Sequence, residues 1–321
     1  MKKFAVAFAA VGLTCLAGAA GAQDFPSRPV TLVNPYSAGG PADLIGRTIA
    51  EGMGDILGQP VVVENRPGAG TAIAATHVAQ SDPDGYTLFI GGSPSHVITP
   101  ALMTTNYDGI EDFAPVSMVA NVPNVLVVNA SSGMETIDDL IAKAKEAPEA
   151  ISFASVGVGS LPQFAAVLFQ QVTGTELTHI PYGGAAPAVV DLLAGNVDMA
   201  FLNVAPLLQY IQEGQLRPLG VAASERSDQI PDVPTMEELG YEGFQMSTWY
   251  GISAPAGTPP DVIAKLDEAI AKTLQEEDVR ERLTNQGVQI FYKPSSEFTD
   301  YLAADAKRML ELIDTADMRA D

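Results

Sequence analysis

The chain has few basic residues and a single cysteine, and each scarcity excludes a class of protein. Of 321 residues, 17 are Lys or Arg and 39 are Asp or Glu, so the formal net charge is −22. A charge this negative repels nucleic acid and anionic lipid, which excludes both as partners. The cysteine, Cys15, lies in a segment that we expect to be removed. The mature chain would therefore contain no disulfide, thiol nucleophile or thiolate metal site.

Residues 1–22 have the pattern of a secretory signal peptide. Two lysines precede an apolar run from Phe4 to Leu16, and small residues end in Ala20-Gly21-Ala22. The run is short for a membrane-spanning helix, which needs roughly 20 residues, and no comparable run follows. The pattern favours export to the periplasm with cleavage after Ala22 over a membrane anchor, or over a lipid anchor on Cys15.

The remainder of the chain has an α/β pattern. Short β-branched runs alternate with amphipathic stretches, which is typical of strand–helix–strand units that form mostly parallel sheets. The clearest unit is a strand at Val30–Val33, a helix at Ala42–Leu57 and a strand at Val61–Val63. The C-terminal third predicts two long helices, Pro260–Leu283 and Ser295–Asp314. Thr136, with Asp139 three residues later, predicts a capped helix start.

The length favours two domains, each with its own core. We expect the chain to cross between them near Asn121–Asn124 and near Ala222–Ser227. The first domain would then be discontinuous, made of residues 23–122 and 223–321, and the second would comprise residues 123–222. A ligand cleft is expected between the two.

Three predicted strand-to-helix junctions are rich in glycine and small polar residues. Open α/β sheets bind ligands at such junctions, and the free N–H groups and dipole of the following helix favour an anion. The alternative is that glycine and proline merely permit tight turns. The junctions are Asn34–Asp43, Ser155–Pro162 and Pro181–Pro187.

Two side chains near these junctions have individual interpretations. Asp43 would repel an anionic ligand, which favours a role in bracing its own loop. Ser93 follows another predicted strand, where its hydroxyl could orient a ligand.

Signals for catalysis, cofactors and metals are weak. Gly157-Val158-Gly159 begins a dinucleotide fingerprint, but Pro162 stands where its third glycine belongs. The three histidines lack the spacing of metal ligands, and no motif pairs a candidate nucleophile with a general base. We therefore expect a binding protein without cofactor or metal, with a periplasmic hydrolase or lyase as the alternative.

Many segments resemble the Bug family, the extracytoplasmic solute receptors of tripartite tricarboxylate transporters, and they span nearly all of the mature chain. They include Asn34–Gly40 with Asp43, Gly58–Gly70, Pro83–Leu88, Asp112–Val116, Pro181–Gly184, Gly195–Asp198, Pro231–Thr235 and Trp249–Gly251.

This resemblance implies a two-domain periplasmic-binding-protein fold (type 2-like), closing on a small carboxylate. It implies that two loops hold one carboxylate and that further residues line the cleft. Ala42, where the family usually has Thr, and Pro162-Gln163, where Ser-His is common, depart from the pattern. The residues implied are Tyr36, Ser37, Ala38, Gly39, Gly40, Asp43, Pro181, Tyr182, Gly183 and Gly184 in the two loops, and Ser93, Ser155, Gly157, Ser160 and Asn203 elsewhere.

The expected function is capture of a mono- or dicarboxylate, or of an acidic amino acid, and its delivery to a large and a small integral membrane subunit. The three loops contain no Lys or Arg. This favours a monoacid, or a diacid whose second carboxylate meets neutral donors, over a triacid. We expect the protein to act as a monomer. Presentation of the ligand to a membrane signalling kinase is the alternative.

Overall fold

The computed structural model describes residues 25–315. The predicted signal peptide, its cleavage site and Cys15 lie outside this range. Within it, no helix combines the length and the apolar character needed to cross a membrane.

Strands and helices alternate along most of the described chain, as the sequence pattern predicts. The strands are β1 (Val30–Asn34), β2 (Val61–Asn65), β3 (Thr87–Gly91), β4 (Phe113–Val122), β5 (Asn124–Asn129), β6 (Ser152–Ser155), β7 (Thr178–Pro181), β8 (Met199–Asn203), β9 (Leu216–Val221), β10 (Thr248–Pro255) and β11 (Gln289–Pro294). The α-helices are α1 (Pro41–Leu57), α2 (Ala72–Ala79), α3 (Thr99–Leu102), α4 (Ile137–Glu146), α5 (Leu161–Thr173), α6 (Ala185–Ala194), α7 (Leu208–Gln212), α8 (Pro260–Thr273), α9 (Glu277–Thr284) and α10 (Ser295–Thr315).

The strands form two sheets, each flanked by helices, which confirms the two-domain α/β class. The first domain contains the six-stranded sheet β11-β4-β10-β3-β1-β2, and the second contains the five-stranded sheet β7-β6-β8-β5-β9. Both sheets are mixed, whereas the sequence predicted mostly parallel ones. Strand β10 runs antiparallel to β3 and β4, and β5 runs antiparallel to β8 and β9. These antiparallel strands adjoin the points where the chain passes between the sheets, and the strand–helix–strand units supply the parallel pairs.

The segment 223–246 packs against the second sheet, although the sequence placed it in the first domain. Val221 and Thr235 form an isolated parallel bridge. The Met236 N–H donates to the Val221 carbonyl (2.8 Å), and the Met246 N–H donates to the Ala222 carbonyl (2.9 Å). The chain therefore leaves the second sheet only after Met246, directly before β10.

Two other predictions differ from the observed elements. The predicted helix Pro260–Leu283 is interrupted between α8 and α9, where Glu276 has an extended backbone. The break lets Leu274, Val279 and Leu283 all enter the buried cluster beneath the first sheet. Strand β4 was not predicted, because its apolar run is punctuated by polar residues and its partners β10 and β11 come much later in the chain.

Helix α10 spans the two domains. Met309, Leu312 and Ile313 belong to one buried cluster with Phe164 of the second domain and Trp249 of the first. This cluster joins the domains on the side where the C-terminal helix lies.

Candidate functional site

A cavity of about 730 Å³ lies between the domains, a volume within the usual range for small-molecule sites. First-domain segments 35–37, 67–71, 94–103 and 248–250 form one wall, and second-domain segments 156–162, 184–185 and 202–203 form the other. Of the described residues that line it, none is Asp, Glu, Lys, Arg or His. The side chains that line the cavity therefore offer no ion pair to a charged ligand.

Three helices begin beside this cavity without a side-chain cap. Gly40 and Gly184, the N-cap residues of α1 and α6, have no side chain to offer. Ser160, the N-cap of α5, donates its hydroxyl to the Gly157 carbonyl (2.6 Å) instead of accepting from its helix. The first N–H groups of a helix lack partners within the helix. These helix ends consequently retain donors and a positive dipole end that favour an anion.

Asp43 braces the first loop, as the sequence interpretation expected. Its carboxylate accepts from the Gly39 N–H (3.0 Å), from Asn65 Nδ2 (2.9 Å) and from Arg47 Nε (3.1 Å). The hydrogen bond from Arg47, followed by those from Gly39 and Asn65, lowers the pKa of Asp43 to about 2. Asp43 is buried beneath the loop and does not line the cavity.

This bracing decides which amides of the first loop remain free. The Gly39 N–H is bound by Asp43, and the Tyr36 N–H donates to Asn34 Oδ1 (3.2 Å). The N–H groups of Ser37, Ala38 and Gly40 find no acceptor among the described residues. Tyr36 and Ser37 line the cavity, whereas Ala38, Gly39 and Gly40 lie just beyond its lining.

The second loop shows the same division between used and free donors. Pro181 has no N–H group, and the Tyr182 N–H donates to the Ser155 carbonyl (3.0 Å). The Tyr182 hydroxyl donates to Asp191 (2.7 Å), which directs its side chain to α6. Within residues 25–315, the N–H groups of Gly183 and Gly184 have no acceptor, and Gly184 lines the cavity.

Ser155 and Gly157 organise the third loop from behind the cavity wall. The Ser155 hydroxyl donates to the Gly157 carbonyl (3.1 Å) and lies 2.7 Å from His179 Nε2. His179 Nδ1 faces the Gln163 amide (3.4 Å), so no carboxylate orients this imidazole as a base. Because Ser155 is also fully buried, the pair has a structural rather than a catalytic geometry.

The two remaining predicted residues differ in their placement. Asn203 lines the cavity and donates from Nδ2 to Asn124 Oδ1 (3.1 Å). Ser93 is buried outside the lining, and its hydroxyl donates to Asp305 on α10 (2.5 Å). Asp305 also accepts from Trp249 Nε1 (2.9 Å), so Ser93 belongs to a buried network that joins α10 to the first domain.

A substantial part of the first-domain wall was not predicted from the sequence. Residues Gly68–Thr71 all have positive φ values between 46° and 135°, and three of them line the cavity. For the β-branched Thr71 such a value is a conformational outlier of the kind concentrated at functional sites. The glycines of this segment were the available signal. Ile98–Met103 and the β10 residues Thr248 and Tyr250 carried no local signal.

The two lining tyrosines are neutral donors. Burial raises the pKa of Tyr36 and that of Tyr250; the Tyr107 phenol adds to the shift for Tyr36, and the Tyr36 phenol adds to the shift for Tyr250. Both hydroxyls therefore stay protonated at any physiological pH. Among the described residues, no group of three His, Asp or Glu side chains is placed to hold a metal ion.

Known proteins resemble this chain in sequence and in fold. Residues 45–318 match the family described as tripartite tricarboxylate transporter family receptor. Protein BugT of Bordetella pertussis is 39% identical over 295 residues, which cover 91% of this chain and 90% of that protein. An R. palustris protein solved with adipate has a TM-score of 0.79 and 32% identity, covering 92% of this chain and 99% of that one. MatC of Rhodopseudomonas palustris, solved with bound malate, has a TM-score of 0.76 and 33% identity, covering 90% and 100%.

The family and the fold are those of solute-binding receptors rather than enzymes. The matches extend over most of this chain and most of each relative, so they concern the whole two-domain receptor. The chain belongs to the tripartite tricarboxylate transporter receptors, the Bug family of periplasmic solute-binding proteins that its motifs resemble.

Proposed function

We propose that this receptor captures a small carboxylate in the interdomain cavity and delivers it to the membrane subunits of a tripartite tricarboxylate transporter. The observation that carries the proposal is the meeting of uncapped helix N-termini from both domains at a cavity without charged side chains. Two relatives of this fold are solved with adipate and with malate, both carboxylates.

The proposed carboxylate grip consists of main-chain amides from both domains. Ser37, Ala38 and Gly40 would supply the first domain's donors, and Gly183 and Gly184 the second domain's. A hydrogen bond to a charged group contributes about 1.5 to 3 kcal/mol, and a helix dipole up to about 2. Three such bonds with a dipole contribution would supply roughly 4.5 to 11 kcal/mol, a range that includes the ~8 kcal/mol of micromolar binding.

Because the donors come from two domains, the ligand would make more hydrogen bonds in the closed form than in the open form. An acid held by one domain in the open form gains the other domain's amides on closure, which shifts the population toward the closed form. We propose that the hinge lies where the chain crosses between the sheets, at Val122–Asn124 and at Met246–Thr248. The second crossing replaces the one expected at Ala222–Ser227. The closed form would be the one that the membrane subunits recognise.

Export is proposed to depend on residues 1–22. The test is mass spectrometry of the mature protein from a periplasmic extract. A mature N-terminus at Gln23 is expected, and an uncleaved or lipid-modified chain would contradict the proposal.

Calorimetric titration with acids and their amides tests the grip. Hexanoate and hexanamide have matched carbon chains, but only the acid presents two anionic oxygens to the amides. In calorimetric and thermal-unfolding titrations with mono- and dicarboxylates, we expect at least one acid to bind and to raise the melting temperature with concentration, and its amide to do neither. Equal binding of acid and amide would refute the carboxylate grip.

A further inference from the structure

The loop Val156–Leu161 forms much of the second-domain wall, and a side chain outside the cavity holds its backbone. Gln163 Oε1 accepts from the Gly159 N–H (2.7 Å). Gly159 has a φ of 77°, in the left-handed region that glycine adopts readily. Five of the six residues in this loop line the cavity, whereas Gln163 does not. Gln163 therefore reaches the site only through the backbone that it holds.

The first-domain loop is held in the same way. Asp43 is the third residue of α1, and Gln163 is the third residue of α5. Each accepts from a glycine of positive φ four positions earlier, Gly39 or Gly159. In a capping box the third residue accepts from the N-cap N–H, as Asp139 does at α4. At α1 and α5 the side chain instead passes the N-cap and holds the residue before it. Both domains thus present a cavity loop that is held from behind by its own helix.

His179 fixes the orientation of the Gln163 amide. The Ser155 hydroxyl donates its only proton to the Gly157 carbonyl, so His179 Nε2, 2.7 Å from the Ser155 oxygen, is the donor in that pair. His179 Nδ1 is then an acceptor that faces Gln163 Nε2 (3.4 Å), which leaves Gln163 Oε1 for the Gly159 N–H. Burial lowers the pKa of His179, which favours the neutral ring that this arrangement needs.

The held loop contributes donors and a close approach between the domains. Within residues 25–315, the N–H groups of Val158 and Leu161 have no acceptor, and both residues line the cavity. A methyl group placed on Gly159 would lie 3.6 Å from Leu102 Cδ1, on the opposite wall. Displacement of the Gly159 backbone would therefore move free donors and change the contact between the two walls.

We propose that Gln163 is a positioning residue for ligand binding, which holds Gly159 so that the loop Val156–Leu161 meets the ligand in a preformed conformation. This inference rests on the proposed function, because it needs a ligand in the interdomain cavity. A preformed loop does not have to be ordered when the ligand binds, so that cost is absent from the binding free energy. If Gln163 only stabilised the start of α5, its loss would reduce stability and leave affinity unchanged.

Gln163→Met tests the proposal, because methionine has a similar length and no comparable acceptor. The probe is the acid that binds the parent protein most tightly among hexanoate, adipate, succinate and malate. We expect its dissociation constant, measured by calorimetry, to rise at least about fivefold in Gln163→Met, since binding must then order the released loop.

Gln170→Met is the matched control on the same helix. Gln170 Oε1 also accepts a backbone N–H, that of Leu177 (2.8 Å), but it lies outside the cavity lining. Both variants should lower the melting temperature by a similar amount, and Gln170→Met should keep the parent affinity. An unchanged affinity in Gln163→Met, or an equal loss in both variants, overturns the inference and leaves the proposed function intact. If none of the four acids binds the parent protein, the proposed function and the inference fail together.

Amide hydrogen exchange of the ligand-free protein tests the brace without any ligand. Exchange at the Gly159 N–H, followed by NMR, should be at least about fivefold faster in Gln163→Met than in the parent protein. Gln163→Glu keeps an acceptor at the same distance from the helix, so it should restore slow exchange. Exchange in Gln163→Met as slow as in the parent protein would overturn the inference, because Gln163 would then not hold this loop.

Discussion

The N-termini of α4 and α6 satisfy the same chemical requirement in opposite ways. At α4, the Thr136 hydroxyl accepts from the Asp139 N–H (3.1 Å) and Asp139 accepts from the Thr136 N–H (2.9 Å). At α6, the N-cap is Gly184, which has no side chain, and the preceding Gly183 N–H also lacks an acceptor among the described residues. The capped helix begins away from the cavity, and the uncapped helix begins beside it.

The difference shows that α4 is stabilised by a local side-chain cap and that α6 is not. A side-chain cap is worth about 1 kcal/mol, so a helix without one is less stable than it could be. The uncapped amides are those that an anionic ligand could satisfy. A substitution that removes the cap of α4 should therefore reduce folding stability alone, and one that removes a free amide at the cavity should reduce binding alone.

The largest expected effect is at Gly183. Gly183→Pro removes one N–H from the proposed grip, and we expect the dissociation constant to rise about 30-fold, the equivalent of one charge-assisted hydrogen bond of ~2 kcal/mol. The melting temperature of the ligand-free protein should change little, because the lost donor binds nothing in the free protein. Calorimetric titration and thermal unfolding measure the two effects.

Gly183→Ala is the matched control. It keeps the N–H, and no atom lies within 4 Å of the added methyl group. Its affinity should match that of the parent protein. Equal loss in both variants would mean that loop distortion, rather than the amide, decides binding.

Asp43 should have the next largest effect, through pH-dependent stability. Its folded pKa of about 2 lies below its ordinary value, so its contribution is fully present above about pH 4 and is lost as the pH falls toward 2. We expect Asp43→Asn to reduce the free energy of unfolding by about 1 to 2 kcal/mol at pH 7, since Arg47 is half-exposed and solvent weakens the pair. Urea unfolding of both proteins from pH 7 to pH 2 should show the difference shrinking below pH 4. A difference independent of pH would contradict this assignment.

Thr136→Ala tests the same comparison at the capped helix α4. Loss of the cap should reduce the free energy of unfolding by about 1 kcal/mol, measured by urea unfolding. Ligand affinity should remain that of the parent protein, and Thr136→Ser, which keeps the hydroxyl, should restore stability. A change in affinity for Thr136→Ala would show that the two helix starts are coupled.

The smallest expected effect is that of salt on binding. The chain has a formal net charge of −22, yet the proposed donors are neutral amides at short range. Charges on the distant surface are screened over about 8 Å at physiological ionic strength. The dissociation constant should therefore change by less than about twofold between roughly 50 and 300 mM salt. A dissociation constant that rises steeply with salt would indicate that a basic side chain binds the carboxylate.

Local patterns predicted the elements whose hydrophobic periodicity is strong. Helix α1 was predicted to within one residue because Ile45, Ile49 and Met53 recur on its buried face. The capping box of α4 was predicted from Thr136 and Asp139 alone. The break between α8 and α9 was not, because no glycine or proline marks it and the apolar pattern continues through it.

The candidate site was predicted less completely than the fold. The Tyr36–Gly40 and Pro181–Gly184 loops could be proposed from their glycines and their place after a strand. The wall formed by Ile98–Met103 could not, because leucine and methionine at helical spacing look the same in a core and in a cavity. Serine is a common residue in ligand-binding loops, but the Ser93 hydroxyl donates to Asp305, which lies 212 positions later in the chain.

The amino-acid sequence by itself determined the local structure. It decided which segments become strands and helices, which helices begin with a capping side chain, and which helices are followed by a glycine. These depend on residues within a few positions of one another, so they can be inferred without the fold. Only the tertiary structure decided which amides stay free and which side chains line the cavity. Those outcomes require distant segments to meet, because the chain crosses between two sheets before the cavity between them exists.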